Sequence, residues 1–339
     1  MLTGAMVERA VLFFDIEDRQ TELRDGVAPD DFVLRRRDTP LPFPAGALAY
    51  CADLQAERVL FSLHGAALAG LFAAPFLYAA QLRGAAGVAS VPFERLAESE
   101  AGLPPPSPTL IFSPGRTGST LLARLLAACG GPCASEPDML SQICRFNRED
   151  RVRMGFAMEP ALLRACVMSL CRALGPAPFI KLRSQCNARP LALLAAAPDA
   201  SAIFLLRKLR TWARSRHLAF GEPPVAVAAI LREAIDALDK LQEAGIPFRV
   251  LWFEDLARDP FGILRACLPS TEVNPVAVMR VMQQDSQGGT SMARETVAAA
   301  SADPEFGAAF GAAWAGARAG AEWGSGTLAL LAAMQDDAA

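Results

Sequence analysis

The chain has 339 residues, 33 of them basic and 36 acidic, for a formal charge of -3, and 52% of it is hydrophobic. That length and apolar content can build one large α/β domain with an appendage or two domains, and the near-neutral charge gives no basis for broad binding of nucleic acid. Eight cysteines without a C-x-x-C pair and only two histidines argue against a zinc site, and reduced thiols fit the cytoplasm.

The first stretch, "MLTGAMVERAVLFFDIEDRQ", has acidic residues close behind its apolar run and no cleavage-type signal, so secretion is not expected. The basic cluster Leu34 to Arg37 reads as a solvated loop or as a contact for an anion. A strand is predicted at Val59 to Leu63 and another in "GVASVPF", so residues 57 to 93 form a strand-helix-strand unit. Between them Ala66 to Ala80 is apolar, but it falls short of the roughly 20 residues of a spanning helix. Pro75 also interrupts it, and a single buried helix is expected there. His64 follows the first strand, where either a structural or a functional histidine fits.

Prolines at 104, 105, 106 and 108 mark a linker or rigid bend, and the chain is divided near residue 106. Residues 1 to 106 are read as an N-terminal α/β extension, with roles in an acceptor pocket or in assembly, including a homo-oligomer, left open. Residues 107 to 339 are read as the core with a helical C-terminal segment.

"PTLIFSPGRTGSTLLARLLAA", residues 108 to 128, passes from a short apolar strand through a polar knot into Leu121, Leu122, Leu125 and Leu126 at helical spacing. Gly118 permits close backbone approach, and Ser119 and Thr120 bring hydroxyls and amides to the positive end of the helix. That is an anion site in strand-loop-helix form. A Walker A loop requires G-x-x-x-x-G-K-[ST]; here the lysine is missing, and Arg116 precedes Thr117, Gly118, Ser119 and Thr120. Further strands are predicted near 178 to 182, 202 to 206 and 248 to 253, alternating with helical segments. The fold class is therefore α/β, a mostly parallel sheet flanked by helices with ligands at the carboxyl ends of the strands. Arg116, Lys181 and Arg207 each end or follow such a strand.

This order resembles the sulfotransferase family. The knot at 116 to 120 is similar to the 5'-phosphosulfate loop of that family. In "SAIFLLRKLRTWARSRHL" Arg207 and Ser215, eight positions apart, match the arginine and helical serine that grip the donor's 3'-phosphate. "FRVLWFEDLARDPFGILRACL", residues 248 to 268, resembles the Y-E-D-L-x-x-D-P segment and is read as scaffold, its carboxylates capping a helix or anchoring a loop. The resemblance covers about residues 108 to 295. It implies a P-loop-type core that takes 3'-phosphoadenosine-5'-phosphosulfate (PAPS) as donor and releases 3',5'-adenosine bisphosphate (PAP). It needs no metal, and its acceptor is a hydroxyl or amine of a small molecule or glycan.

Where cytosolic sulfotransferases carry Lys-Thr-His with the histidine as base, this chain has Lys181-Leu182-Arg183. Glu136, 20 residues after Arg116, is similar in position to the base of glutamate-dependent members such as the tyrosylprotein and bacterial glycolipid enzymes. A helix-capping role for Glu136 and a catalytic role for Asp138 are the competing readings. Lys181 is one of only three lysines in the chain, and the resemblance gives it the charge on the sulfuryl group or bridging oxygen. A late segment, Gln283 to Arg294, reads either as a lid over the donor, with Ser286, Gly288, Gly289, Ser291 and Arg294, or as a plain surface turn. A phosphotransferase using ATP and a non-catalytic nucleotide-binding protein of the same descent remain the alternatives.

Overall fold

The computed structural model describes residues 10–21, 26–37, 46–65, 68–100, 105–284 and 305–335. Among them, ten strands form two five-stranded sheets. The first is antiparallel, in the order β2-β1-β5-β4-β3, and consists of β1 (Leu12–Arg19), β2 (Phe32–Arg36), β3 (Ala47–Asp53), β4 (Arg58–Leu63) and β5 (Gly87–Pro92). The second has the order β10-β9-β6-β8-β7 and consists of β6 (Thr109–Phe112), β7 (Cys133–Ser135), β8 (Phe179–Lys181), β9 (Ser201–Leu206) and β10 (Phe248–Trp252). Its β7–β8 and β9–β10 pairs are parallel, and helices connect and flank its strands, so the expected α/β class holds. Cys133–Ser135 is a strand the sequence reading did not contain.

The chain groups into two compact units, each made of separate stretches. One comprises Met1–Thr109, Pro132–Cys186 and Ala192–Ala200; the other comprises Leu110–Gly131, Asn187–Leu191 and Ser201–Ala339.

In the first unit, β3 has an edge that would leave backbone groups exposed for unwanted pairing. Two helices cover it. Gln142 accepts from the Ala52 amide at 2.8 Å and donates to the Ala52 carbonyl at 3.0 Å, as a neighbouring strand would, and Ser169 Oγ accepts from the Ala49 amide at 3.0 Å. Ser169 belongs to the helix Met158–Leu174, whose Leu162, Leu163, Cys166 and Val167 are buried. No single helix among the described residues is long and apolar enough to cross a membrane. The pair Arg148–Met154 and Met158–Leu174 passes by length and composition only, and it is bent by 88°.

The expected single helix over 66 to 80 is instead two helices, α1 (Leu68–Phe72) and α2 (Leu77–Gly84), separated by a turn that contains Pro75. Proline lacks the amide that would continue the ladder, and the residue before it disfavours helical backbone. The Pro75 carbonyl accepts from Ser135 Oγ at 2.8 Å, so the break is used as a contact. His64 is buried, with Nδ1 at 3.2 Å from the Gly84 carbonyl and Nε2 at 2.9 Å from Ser62 Oγ. Burial lowers its pKa from the ordinary value. Both ring nitrogens are engaged, one at the end of α2 and the other on β4.

In the second unit, β9 and β10 pair from Phe248–Ala202 to Trp252–Leu206, and Phe112 and Phe204 stack 6.1 Å apart. Helix α3 (Ser119–Ala128) is followed in the chain by α4 (Asp138–Cys144), α5 (Arg148–Met154) and α6 (Met158–Leu174), all three in the first unit, and then by α7 (Pro190–Ala196) and α8 (Leu209–Phe220). The long helix α9 (Pro224–Glu243) buries Leu231, Ile235 and Leu238 and packs against the later helix Phe306–Arg318. None of the eight cysteines is in a disulfide.

Candidate active site

The loop between β6 and α3 takes a left-handed backbone at Gly115 (φ 76°), Arg116 (φ 57°) and Gly118 (φ 82°). A non-glycine residue in that region is uncommon, and such strain persists where the surroundings hold it. Gly118 is the N-cap of α3, and Ser119 and Thr120, both 5% exposed, open the helix. A Cβ on Gly118 would lie 2.5 Å from the Phe253 ring. Gly118→Ala is therefore expected to lower stability by about 1–2 kcal/mol from the left-handed backbone alone, with the clash added. A denaturant titration checks this, and an unchanged midpoint would show that the loop is not held in this form.

Arg207 follows β9, and Ser215 lies in α8; the structure brings both to Arg116. Arg116 Nε donates to Ser215 Oγ at 3.3 Å, and Arg207 Nη1 donates to the Arg116 carbonyl at 3.4 Å. The Arg207 guanidinium lies 4.5 Å from the centre of the Phe253 ring, and burial lowers its pKa while Glu254 acts in the other direction. Thr117 Oγ1 and Arg207 Nε are buried without a hydrogen-bond partner in the structure. Buried polar atoms are ordinarily satisfied. A guanidinium pair, helix-start hydroxyls and loop amides with two unsatisfied buried atoms are a donor set suited to a phosphate or sulfuryl anion.

The scaffold reading of residues 248 to 268 agrees with the geometry. Glu254 Oε1 accepts the Lys208 amide at 3.1 Å at the start of α8, and Asp259 caps the following helix by accepting from the Gly262 amide at 2.9 Å.

A second constellation lies within the other unit, on neighbouring parallel strands. Ser135 pairs with Lys181 in register, and the Glu136 amide donates to the Lys181 carbonyl at 2.8 Å. Glu136 has φ 56°, and its Oε1 accepts the Lys181 ammonium, whose side chain is only 4% exposed. Arg183 Nε stands 3.9 Å from Glu136 Oε2. Glu136 does not cap α4, whose N-cap is Pro137. Asp138 differs from its neighbour: Oδ1 accepts Arg183 Nη1 at 2.5 Å and Oδ2 accepts the Val27 amide at 2.8 Å. It is 1% exposed with both oxygens engaged, which makes it a tie between segments.

No protein-family model matches the chain, and no curated protein matches it. Among solved structures it is similar to the sulfotransferase domain of the Synechococcus PCC 7002 olefin synthase, at 16% identity and a TM-score of 0.39, over 69% of this chain and 96% of that one. It is also similar to the sulfotransferase STF9 from Mycobacterium avium, at 13% identity and a TM-score of 0.37, over 56% of this chain and 69% of that one. The sulfotransferase STF1 from Mycobacterium tuberculosis H37Rv gives 13% identity and a TM-score of 0.35, over 65% and 79%. These likenesses are distant, and the functional reading rests on the residues above.

Gly288, Gly289 and Arg294, with Ser286 and Ser291, lie outside the described residues. The sequence reading missed Asn187, Trp212 and Arg216, each of which holds a carbonyl of the loop. A signal existed for two of them: Trp212, Ser215 and Arg216 recur at i, i+3 and i+4, one face of α8.

Proposed function

We propose that the chain is a sulfotransferase that moves a sulfuryl group from PAPS to a hydroxyl or amine of a small-molecule or glycan acceptor, working in the cytoplasm. The observation that carries this reading is the convergence of Arg207 and Ser215, eight positions apart, on Arg116 in the strand-to-helix loop. The donor supplies the activated sulfuryl group and departs as PAP.

In this reading Arg116, Thr117, Gly118, Ser119 and Thr120 hold the 5'-phosphosulfate through guanidinium, amides and hydroxyls. Arg207, whose buried Nε has no partner in the structure, and Ser215 hold the 3'-phosphate, for which a planar guanidinium fork is suited. Lys181, held by Glu136, carries positive charge to the developing negative charge of the leaving side. Glu136 removes the acceptor proton. Its Oε2 is the oxygen that does so, because Oε1 takes the lysine. Positioned charge of this kind supplies most of the acceleration in related group transfers.

Nucleotide choice tests the proposal. By calorimetry, PAP is expected to bind at least about tenfold more tightly than 5'-AMP, since a hydrogen bond to a charged group contributes about 1.5–3 kcal/mol. Arg207→Ala is expected to erase that difference. Equal affinity for PAP and 5'-AMP would remove the donor assignment, and tighter binding of ATP with magnesium would favour a phosphotransferase.

A further inference from the structure

Four consecutive carbonyls of the loop each accept from a side chain. Asn187 Nδ2 donates to Ser113 O at 2.9 Å, Arg216 Nη1 to Pro114 O at 2.9 Å, Trp212 Nε1 to Gly115 O at 2.7 Å and Arg207 Nη1 to Arg116 O at 3.4 Å. In a planar trans peptide the carbonyl and the following amide point to opposite sides. Holding the Gly115 carbonyl on one side therefore turns the Arg116 amide to the other, and holding the Arg116 carbonyl does the same for the Thr117 amide. The left-handed turn at residues 115, 116 and 118 gives these amides the form of an anion-binding nest. Carbonyl oxygens, which would repel an anion, are held away from it.

The side chains that hold the carbonyls are themselves fixed. Trp212 is fully buried, with its ring 6.4 Å from Phe310 in an edge-on contact. Arg216 is 7% exposed and forks onto Glu222 at 2.6 and 2.8 Å, and Asn187 is 2% exposed.

We propose that Trp212, Arg216 and Asn187 are positioning residues that preorganise the loop amides for the 5'-side anion of the donor. This inference rests on the proposed donor site. It makes a prediction of its own: the indole N–H acts on binding of the 5'-phosphate and leaves the rest of the nucleotide untouched.

Trp212→Phe keeps an aromatic, though smaller, ring and removes the indole N–H, and Asn187→Leu removes the amide donor from a different segment of the chain with a side chain of similar size. Calorimetry on the full chain measures PAP, adenosine 3'-phosphate and inorganic pyrophosphate, with melting temperature recorded for each variant. Each variant is expected to weaken PAP and pyrophosphate by tenfold or more and to change adenosine 3'-phosphate by less than twofold. Equal weakening of all three ligands, or wild-type affinity for pyrophosphate in both folded variants, overturns the positioning role. If wild-type protein binds PAP no better than 5'-AMP while the variants still lose pyrophosphate, the donor reading fails and the positioning role stands. Should Trp212→Phe not fold, Asn187→Leu alone decides the question by the same comparison.

Discussion

Glu136→Gln is expected to leave PAP binding within a few-fold of wild type while transfer of the sulfuryl group falls by roughly 10²- to 10⁴-fold, the usual contribution of general-base catalysis. The substitution keeps the size of the side chain and removes its proton affinity. It also leaves the buried Lys181 ammonium without its carboxylate. Breaking a buried pair from one side commonly costs about 3–5 kcal/mol, so the melting temperature falls as well, and the assay must be run where the variant is folded. Transfer is read as label moving from PAPS into a cell extract, with the product identified by mass spectrometry. Two controls separate chemistry from scaffolding. Asp138→Asn removes the charge that Arg183 meets and leaves one acceptor oxygen for the two donors, Arg183 and the Val27 amide, and is expected to act on stability. His64→Asn removes a ring bonded at one nitrogen to the end of α2 and at the other to Ser62 of β4, and is expected to cost far less transfer than Glu136→Gln. A glutamine variant near the wild-type rate, beside a His64 variant that transfers nothing, would move the base to the N-terminal sheet.

The parts of the molecule that were legible in the sequence are those whose signal is local. Strand, polar knot and helix at 108 to 128 are contiguous, and the apolar run before Arg207 and the capped segment after Trp252 carry their own punctuation. What was not legible is what the fold assembles. Cys133–Ser135 is three residues long, too short for periodicity to register, yet it delivers Glu136 beside Lys181, 45 residues away, through the register of two parallel strands. The broken helix between Leu68 and Gly84 was hidden because Ala66 to Ala80 is apolar on every side, which leaves proline as the only mark of the turn. The residues that grip the loop carbonyls, Asn187, Trp212 and Arg216, look in sequence like a loop amide, a core aromatic and one more charge in a basic helix. Their function is carried by which carbonyl each one reaches, and no spacing rule encodes that.

Arg116→Ala is expected to lower turnover by roughly 10²-fold or more, the scale seen when one donor to a transition-state charge is removed, with the fold intact. The backbone reason for an intact fold is specific. Arginine already carries a Cβ at φ 57°, so alanine meets the same left-handed geometry, and the carbonyl that Arg207 holds is retained. What disappears is the guanidinium and its bond to Ser215 Oγ. Arg116→Lys restores the charge without the planar fork, and it is expected to recover part of the lost rate but not the full value. Ser215→Ala removes the other end of the same bond and serves as the discriminating control. If Arg116 acts by charge on the transferring group, the serine variant keeps most of the turnover and loses preference for the 3'-phosphate. If Arg116 only ties the loop to α8, the two alanine variants lose equal amounts of turnover. The comparison is read as kcat with labelled PAPS and extract acceptors, alongside the affinity ratio of PAP to 5'-AMP. An Arg116→Ala protein that fails to fold, or one that turns over at the wild-type rate, would remove the arginine from the chemistry.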